Sequence, residues 1–358
     1  MKRIKAAVLG CTGLVGRQFV RLLDGHPYFE LACLTASGRS AGKAFAAAVE
    51  DPAAGGFSAA VSALAVRETS AAAVAASGAK VAFSALPASL AAGLEPELRA
   101  AGIAVFSNAN ALRFDPQVPL LVPEVNPGHL DLAAGQGRGR GGFIVANPNC
   151  VVAGLVVALK PLLAFGLRAV TVTTFQAVSG PGRRGVAAWD ILGNVVPHIA
   201  GEEEKIARET AKILGDLHGG VRPSPLEIYP SCARVPVRDG HLQSVGAEFD
   251  RAPDAGQLVA ALERFRSLPQ RLRLPTAPRR PLVVRAECDR PQPLLDALAG
   301  EPERARGMAV SVGRLRVRGR RCDFFLLAHN TLRGAAGGSL LNAELAARRG
   351  LFAARRRP

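Results

Sequence analysis

A glycine-rich segment near the start of the chain constrains the fold more than any other feature. The run GCTGLVG follows a short apolar stretch, residues 5–9, and precedes apolar residues at helical spacing. Glycines at such a turn let the backbone approach a pyrophosphate on the helix N-terminus. The position of the run, more than its GxxGxxG spacing, predicts a dinucleotide-binding turn, with a turn that binds no cofactor as the alternative. The candidate cofactor-binding residues are Gly10, Thr12, Gly13, Leu14, Val15 and Gly16.

Strand-like and helix-like segments alternate through the first part of the chain. Strands are predicted at residues 5–9, 30–35, 81–84 and 103–107, and a helix at 89–101. Such alternation predicts a parallel, doubly wound sheet. We therefore predict an α/β chain with a Rossmann-type dinucleotide-binding domain over residues 1–149. A C-terminal helix, residues 331–358, is expected to pack back on it.

The pattern changes after residue 150 to longer strands with fewer helices, which predicts an α+β second domain over residues 150–330. Its expected elements are strands at 169–174, 244–249, 282–285, 308–317 and 323–329, and helices near 202–214 and 257–265. Residues 269–281 form a loop rich in proline and arginine.

Length and composition place the chain among globular proteins with more than one domain. It has 358 residues, 49% of them hydrophobic, and no run of about 18 apolar residues that would predict a membrane span. Its six cysteines are scattered without CxxC spacing, so we predict free thiols, a reducing cytoplasmic location and no metal site.

The formal net charge of +16 raises the question of nucleic-acid binding. Arginines concentrate in residues 135–142, 314–321 and 355–357. No aromatic residues alternate with them as in single-strand binders, and arginine outnumbers lysine along the whole chain. Compositional bias and a solvated surface therefore explain the charge better than a nucleic-acid partner, which is kept as an alternative. The positive charge also suits an anionic metabolite.

A cysteine follows Asn-Pro-Asn at the start of an apolar stretch, residues 151–163, that is predicted to be a buried helix. The first amide groups of this helix would then point at the sulfur of Cys150. Because a helix N-terminus lowers the pKa of a thiol, we predict a thiolate nucleophile. An inert buried thiol is the alternative.

Of the six histidines, only His241 follows a glycine beside a strand that contains arginine and proline, residues 234–237. This turn could bring the imidazole into a cleft as an acid/base group, with Arg234 as a nearby anion binder. For an isolated histidine a core or surface role is more common. The assignment of His241 therefore depends on Cys150.

The end of the second predicted strand bears on the choice of cofactor. NAD-binding sites place an acid there, about 20 residues beyond the glycines, to bind the ribose hydroxyls. This chain instead has a guanidinium and two hydroxyls at Ser37, Arg39 and Ser40. They predict recognition of a 2′-phosphate, and hence NADP, with a plain surface role for Arg39 as the alternative.

Eight segments together resemble the aspartate-semialdehyde dehydrogenase family, in particular its archaeal and fungal-like branch. They are GCTGLVG (10–16), SALP (84–87), SNANALRFDPQVPLLVPEVN (107–126), ANPNC (146–150), TTFQAVSGPG (173–182), GEEEKIARETAKIL (201–214), RVPVRDGH (234–241) and HNTLRGAAG (329–337). The likeness runs in order over nearly the whole chain, which makes it more specific than any single motif.

The resemblance implies NADP as cofactor, a catalytic and dimerisation domain, and a homodimer or homotetramer. It also implies the reductive dephosphorylation of L-aspartyl 4-phosphate to L-aspartate 4-semialdehyde, in lysine, threonine and methionine biosynthesis. The further cofactor-binding residues that it implies are Ser84, Leu86, Pro87, Asn108, Ser179, Gly180 and Asn330.

The resemblance also assigns roles at the reaction centre. Cys150 would be the acyl-thioester nucleophile, His241 the general acid/base, and Gln176 the residue that orients the acyl group. Arg234 would hold the α-carboxylate and Glu202 the α-ammonium group. Arg113 and Lys205 would bind the phosphate. The Asn149 side chain and the first helix amides are candidates for stabilising the tetrahedral oxygen.

The chain departs from the family pattern at five positions. Cys11 stands where alanine is common, Val151 and Val152 follow the nucleophile where a hydroxyl residue is common, and Arg183 and Arg184 replace a more neutral pair. Related reductases of malonyl-CoA or N-acetylglutamyl phosphate use the same chemistry and are the nearest alternatives. Glu202 favours the aspartyl substrate, since neither of the others has a free α-ammonium group.

Overall fold

The computed structural model describes residues 3–49, 56–136, 142–182 and 185–352. The chain divides into two compact units. Unit 1 comprises Met1–Leu121, Gly128–Asn147 and Ser339–Pro358, and unit 2 comprises Val122–Pro127 and Pro148–Gly338. Arg183 and Arg184, most of the 135–142 arginine cluster and the 355–357 cluster lie outside the described residues.

Unit 1 contains a six-stranded parallel sheet in the order β3-β2-β1-β4-β5-β6. Its strands are β1 Ile4–Leu9, β2 Phe29–Ala36, β3 Val66–Glu68, β4 Val81–Ser84, β5 Ala104–Ser107 and β6 Ile144–Ala146. Its helices are α1 Leu14–Leu23, α2 Phe45–Ala48, α3 Ala59–Ser62, α4 Ala71–Ala76, α5 Ala88–Ala100 and α6 Asp131–Gln136, with a 3₁₀ turn at Pro127–Leu130. The order and the parallel pairing are those of a dinucleotide-binding sheet, so the predicted fold class is confirmed.

The core of unit 1 forms because the central strands are apolar on both faces, as expected for a sheet covered on both sides. Phe83 on β4 is fully buried, with ring centroids 5.1 Å from Phe19, 5.7 Å from Phe29 and 5.9 Å from Phe106. The predicted strands at 30–35, 81–84 and 103–107 coincide with β2, β4 and β5. The short strands β3 and β6 were not predicted, because so short a segment shows too little periodicity.

Unit 2 is built on a mixed six-stranded sheet in the order β10-β7-β11-β14-β13-β12. Its elements are α7 Cys150–Leu159, a 3₁₀ turn Lys160–Phe165, β7 Leu167–Gln176, α8 Ala188–Ile191, α9 Glu202–Leu214, β8 Asp216–Leu217, β9 Val221–Arg222, β10 Glu227–Arg234, β11 His241–Phe249, α10 Ala255–Arg264, α11 Leu268–Arg271, β12 Leu282–Arg285, α12 Pro293–Asp296, a 3₁₀ turn Glu303–Ala305, β13 Val310–Arg318, β14 Arg321–Ala328 and a π-turn Leu332–Ala336. The predicted strands and helices of this region are present, the strand at 282–285 and the helix at 202–214 with the predicted ends and the others with shifted ends.

Two local differences have physical causes. The strand expected at 234–237 is wrong except for Arg234, since β10 ends there and residues 235–237 are not in a strand. The rest of β10 was not predicted, because Pro230 lies within it. Pro230 is tolerated because β10 is an edge strand of the sheet. The predicted helix 151–163 ends as an α-helix at Leu159, since Pro161 cannot donate a backbone hydrogen bond.

The last helix, α13 Gly337–Arg348, begins in unit 2 and continues in unit 1. Residues 331–338 thus belong to unit 2, whereas we expected the C-terminal segment from 331 to join the first domain. Residues 122–127 and 148–149 also belong to unit 2, so the units differ from the expected division at 149/150. Within unit 1, Glu344 of α13 accepts a buried 2.9 Å bond from His26. No helix of the described residues is both long and apolar enough for a membrane span.

Candidate active site

The predicted nucleophile and its partner meet in unit 2. Cys150 is the first residue of α7 and His241 the first residue of β11. The distance between Cys150 Sγ and His241 Nε2 is 3.1 Å, which is hydrogen-bond contact. Helix α7 is held close to β14, because a Cβ at Gly154 would lie 2.6 Å from that of Ala328. The fold therefore places the sulfur at a helix N-terminus beside an imidazole.

The hydrogen bonds of His241 determine which nitrogen carries its proton. Nδ1 accepts the backbone N–H of Ala177 at 3.1 Å, so Nδ1 is unprotonated and we assign the proton of the neutral ring to Nε2. Full burial, followed by the charges of Arg234 and His329, lowers the pKa of His241 to about 3. The imidazole is therefore neutral at physiological pH and points an N–H donor at the sulfur.

The backbone of Ala177 also orients the predicted carboxylate binder. Arg234 at the end of β10 is buried, and its Nη1 donates to the carbonyl of Ala177 at 2.9 Å. A Cβ at Gly180 would lie 2.7 Å from this Nη1, so the guanidinium requires a glycine there. Burial lowers the pKa of Arg234, while charge on Cys150, Glu202 and Cys232 opposes the shift. Ala177 thus fixes both His241 and Arg234.

Glu202 at the start of α9 contacts Asn149, the residue before the predicted nucleophile. Its Oε1 accepts from Asn149 Nδ2 at 2.8 Å and from Gln176 Nε2 at 3.2 Å. Glu209, two turns further along α9, accepts the backbone N–H of Asn149 at 2.6 Å. The structure therefore brings Cys150, Asn149, Gln176, Glu202 and the buried Glu209 together. The last was not predicted, although it lies in the same quoted segment and on the same helix face as Glu202.

These bonds bear on the expected oxyanion donors. Asn149 caps α7, with its Oδ1 accepting the N–H of Val151 at 2.8 Å. Its Nδ2 is engaged by Glu202. Asn149 therefore acts in this arrangement as a cap that orients Cys150, and its amide would have to leave Glu202 to contact a tetrahedral oxygen.

A buried ion pair holds the turn that packs against Cys150. Arg333 in the π-turn donates from Nη1 and Nη2 to the two carboxylate oxygens of Glu124, at 2.6 and 2.9 Å, with side-chain exposures of 1% and 0%. The next residue, Gly334, packs so tightly on Cys150 that a Cβ there would lie 2.7 Å from the Cys150 Cβ. π-turns inside helices are frequent at functional sites. Neither Glu124 nor Arg333 was predicted, because a pair so far apart along the chain leaves no periodic signal.

In unit 2, the amino acids with a predicted cofactor role form a connected group. Asn330 accepts the N–H of Gly240 at 2.9 Å and donates to Ser179 Oγ at 2.7 Å. Asn330 therefore links the residue before His241 to the loop that contains Ser179 and Gly180.

The glycine turn of unit 1 has the geometry that a pyrophosphate site requires. Gly10 has φ +73°, and a Cβ there would meet the Ala85 carbonyl at 2.8 Å. A Cβ at Gly16 would lie 2.0 Å from the Gly10 carbonyl, so α1 packs directly on the turn. Gly13 at the start of α1 is exposed, and a Cβ there would lie 3.4 Å from its nearest neighbour, the Gly10 carbonyl. The accessible positions, which can face a ligand, are Thr12, Gly13, Leu14 and Val15.

The other unit 1 candidates lie at the carboxyl ends of the strands, where ligands bind in such sheets. Ser37, Arg39 and Ser40 follow β2. Glu68 at the end of β3 was not predicted, and its Oε1 would lie 3.3 Å from a Cβ at Gly38. The remaining candidates are at the ends of β4 and β5: Ser84, Leu86, Pro87 and Asn108.

One polar atom in this group fits a bound polar ligand. Asn108 Oδ1 is buried and accepts no hydrogen bond among the described residues, whereas the buried Ser84 Oγ lies close enough to Glu95 to oppose the rise that burial causes in the pKa of that carboxyl. Asn108 Nδ2 is fixed on the Ser84 carbonyl at 3.2 Å, and Arg113 Nη2 donates to the Asn108 carbonyl at 2.9 Å. A buried acceptor of this kind is normally satisfied, so Asn108 Oδ1 is a candidate for a contact with a cofactor.

The predicted phosphate binders are in different units: the buried Arg113 in unit 1 and the half-buried Lys205 on α9 in unit 2. Their joint role stays a prediction. Four of the five other cysteines are buried, unlike the half-buried Cys150. Burial raises the pKa of Cys11 to about 12 and those of Cys232 and Cys322 to about 11. In the described part of the chain, no group of three histidine, cysteine or acidic side chains could hold a metal.

Comparison with known proteins agrees with this geometry. The family model of the semialdehyde dehydrogenase NAD binding domain matches residues 5–133, and that of the semialdehyde dehydrogenase dimerisation domain matches residues 159–333. Aspartate-semialdehyde dehydrogenase of Methanothermobacter thermautotrophicus is 46% identical over 349 residues, covering 96% of this chain and 98% of the relative. That of Saccharomyces cerevisiae is 40% identical over 367 residues, covering 97% and 98%.

Solved structures extend the likeness. The crystal structure of aspartate semialdehyde dehydrogenase with NADP from Candida albicans has a TM-score of 0.87 and 37% identity, over 97% of this chain and 99% of that chain. Aspartate semialdehyde dehydrogenase II of Vibrio cholerae, complexed with ASA, has a TM-score of 0.76 and 27% identity over the same shares. The resemblance to archaeal and fungal relatives is confirmed, and the chain belongs to the aspartate-semialdehyde dehydrogenase family.

Proposed function

We propose that the chain catalyses the NADPH-dependent reductive dephosphorylation of L-aspartyl 4-phosphate to L-aspartate 4-semialdehyde, a step toward lysine, threonine and methionine. One observation carries the proposal: Cys150 at the start of α7 lies 3.1 Å from the neutral, fully buried His241. A thiolate held by a hydrogen-bond donor is the nucleophile that a thioester mechanism needs.

The charged groups around this pair suit a zwitterionic substrate. Arg234 offers a guanidinium fork to the α-carboxylate. Glu202 offers the countercharge for the α-ammonium group, since its two bonds to Asn149 and Gln176 both end on Oε1. Gln176 would orient the acyl group from the same position. A carboxylate here favours the aspartyl substrate over malonyl-CoA or N-acetylglutamyl phosphate, which have no free α-ammonium group.

The covalent steps consume one proton overall, which the departing phosphate takes up from water to become its dianion. The Cys150 sulfur attacks the acyl carbon, the carbon–sulfur bond forms, and phosphate leaves with the electrons of the carbon–oxygen bond, toward the positive charge of Arg113 and Lys205. NADPH, when bound, would supply the hydride for reduction of the Cys150 thioester, which leaves a thiohemiacetal oxyanion on the sulfur. That oxyanion collapses to the aldehyde and returns the thiolate to His241.

His241 acts in this sequence as a donor. Because Nδ1 is taken by the Ala177 N–H, accepting a second proton there would place two N–H groups against each other. Nε2–H can stabilise the thiolate first and the developing oxyanion next, which a fixed donor does without reorganisation. This role differs from the full acid/base transfer that the family resemblance implies, and it rests on the tautomer assignment.

The residues present fit the cofactor. The open backbone at Gly13 suits a pyrophosphate on α1, and Arg39 with Ser37 and Ser40 suits the 2′-phosphate of NADP. Ser84 and Asn108 offer buried polar atoms toward the rest of the molecule. In unit 2, Ser179, Gly180 and Asn330 form the second part of the proposed cofactor contacts.

The dimerisation-domain match over residues 159–333 supports a homodimer, and we propose a homodimer or a homotetramer built from it. All six cysteines are free thiols, which suits a reducing compartment, and we propose the cytoplasm.

The test is phosphate-dependent oxidation of aspartate semialdehyde with NADP and NAD side by side. We expect turnover that requires phosphate and prefers NADP. The reductive direction is assayed with NADPH and L-aspartyl 4-phosphate, malonyl-CoA or N-acetylglutamyl phosphate. A higher kcat/KM with malonyl-CoA or N-acetylglutamyl phosphate than with L-aspartyl 4-phosphate would overturn the proposal.

A further inference from the structure

An open cavity of about 610 Å³, here called the arginine cavity, lies in unit 2 beside α11, away from Cys150 in sequence. Four arginines line it: Arg266, Arg271, Arg273 and Arg279. The other lining residues are glutamine, leucine, alanine and prolines, and none is acidic. The cavity coincides with the proline- and arginine-rich loop that the sequence singled out and that the proposed catalysis does not use.

The positive charge of the arginine cavity is poorly compensated. Among the residues that the structure describes, Arg266 donates only to the backbone carbonyls of Glu263 and Phe265, at 2.9 and 2.7 Å. The side chains of Arg271 and Arg273 make no hydrogen bond or ion pair with any residue that the structure describes. Arg279 faces Glu301 at 3.9 Å, but these side chains are 75% and 79% exposed, so the pair contributes little. Burial and the charge of Arg280 lower the pKa of Arg266.

The frame of the cavity is fixed by local bonds. Ser267 and Gln270 form a capping box at α11, and Gln270 Nε2 also donates to the Pro278 carbonyl at 3.2 Å. The residues of the floor, Leu274, Ala277 and Pro278, are buried. The arginines therefore project from a backbone that needs no ordering when a ligand binds, and such preorganisation lowers the cost of binding.

A second cavity of about 520 Å³ is a weaker candidate. It is lined by Arg280 and Arg285, but also by Glu301. Arg285 is already paired with Asp296 at 2.8 Å. Its charge is largely neutralised within the protein.

We propose that the arginine cavity binds a nucleoside polyphosphate or a close chemical relative. Guanidinium forks bind phosphate oxygens in pairs, and four of them without an acid select a multiply charged anion. The accessible lining prolines, Pro275 and Pro302, offer an apolar surface for a flat ring. The volume lies within the range of about 300–1,000 Å³ that is usual for small-molecule sites.

Calorimetric titration of the full chain, loaded with one molar equivalent of NADP so that the dinucleotide site is filled first, tests the proposal. The probes are ATP, inorganic tripolyphosphate and adenosine. We expect one saturable ATP site per chain, weaker binding of tripolyphosphate and no saturable binding of adenosine. Equal affinity for ATP and tripolyphosphate would overturn the nucleoside part, and non-saturable uptake of ATP would overturn the site.

The matched variants are Arg271→Gln/Arg273→Asn and Arg251→Gln/Arg318→Gln. Asparagine is chosen because Arg273 has φ +50°, a conformation that asparagine tolerates. Both pairs remove two exposed charges, but only the first lines the cavity. We expect about tenfold weaker ATP binding per cavity arginine removed, near-normal binding in the control pair, and unchanged aspartate semialdehyde oxidation in both. Equal losses in the two pairs would reduce the effect to general surface charge. If long single-stranded RNA bound more tightly than ATP, and the cavity variants weakened that binding, the cavity would be a nucleic-acid site instead.

Discussion

The glycine turn of unit 1 and the cysteine site of unit 2 are built in opposite ways. The turn is contained in residues 10–16, and its outside contacts, such as the backbone bonds of Gly10 and Cys11 to the Thr35 carbonyl, lie within the same unit. The cysteine site combines side chains or backbone from six separate segments, around residues 124, 149–150, 176–180, 202–209, 234–241 and 333–334. A change in the turn should therefore affect cofactor binding alone, whereas changes at distant positions in sequence should converge on the sulfur.

The largest effect is expected at the nucleophile. Cys150→Ser removes the thiolate, and we expect kcat to fall by about 10⁴-fold or more. The control is Cys232→Ala, since Cys232 lies in the same unit and burial raises its thiol pKa to about 11. It should retain turnover within a few-fold of the parent. Steady-state assays of phosphate-dependent oxidation measure kcat for both variants. Similar losses of kcat in the two would contradict the assignment of Cys150 as the nucleophile.

The Glu124–Arg333 ion pair tests whether a change far from Cys150 in the sequence affects the reactivity of its sulfur. Glu124→Gln leaves the buried guanidinium uncompensated, which costs about 3–5 kcal/mol of unfolding free energy. We expect kcat to fall by about a hundredfold with KM for aspartate semialdehyde nearly unchanged, because the π-turn no longer holds Cys150 at Gly334. Urea unfolding and steady-state kinetics give the two numbers.

A double variant separates positioning from stability. Glu124→Leu/Arg333→Met replaces the pair by apolar side chains of similar size, which often restores stability. We expect its unfolding free energy to recover and its kcat to stay low, since the bidentate geometry is absent. Recovery of both quantities would show that the pair acts only as structure.

The protonation of His241 gives a pH-dependent comparison. The folded pKa of about 3 lies below the unfolded value of 6.5, so the unfolded state binds more protons between these values. This contribution to stability is complete above pH 6.5 and is lost as the pH falls toward 3, by about 1.4 kcal/mol per pH unit. Urea unfolding of the parent should thus depend more steeply on pH in this window than that of His241→Asn. Parallel slopes would mean that His241 is protonated in the folded state.

Two glycine substitutions compare the regions directly. Gly16→Ala places a Cβ 2.0 Å from the Gly10 carbonyl, a backbone atom that cannot turn aside. We expect KM for NADP to rise by about tenfold or more, with normal alkylation of Cys150 by iodoacetamide. Gly180→Ala displaces Arg234 Nη1 instead and should raise KM for aspartate semialdehyde by about tenfold. Gly220→Ala is the control, because the added Cβ would have no other residue's atom within 4 Å. An effect of Gly16→Ala on alkylation would break the separation.

The same contrast explains what the sequence could predict. The turn and its flanking strands follow from contiguous periodicity, and Cys150, His241 and Arg234 were found because their residue types and local context carry chemistry. Glu209, Glu124 and the Ala177 backbone were missed, since their roles depend on partners far along the chain. Pro230 concealed β10, because a proline is compatible with an edge strand but not with the pattern of a central one.

The smallest effect is expected at the residues proposed to bind the 2′-phosphate. There the sequence predicts a preference for NADP, whereas the structure places a carboxylate nearby. Arg39 predicts preference for NADP, yet Glu68 lies next to the same loop at Gly38 and would repel a phosphate. We expect Arg39→Gln to reduce the ratio of kcat/KM for NADP over NAD by about tenfold, and Glu68→Gln to raise it a few-fold. The NAD values serve as the internal control, because NAD has no 2′-phosphate. Equal changes for both cofactors would mean that these side chains shape the loop rather than bind the phosphate, and the preference would then have to come from Ser37 and Ser40.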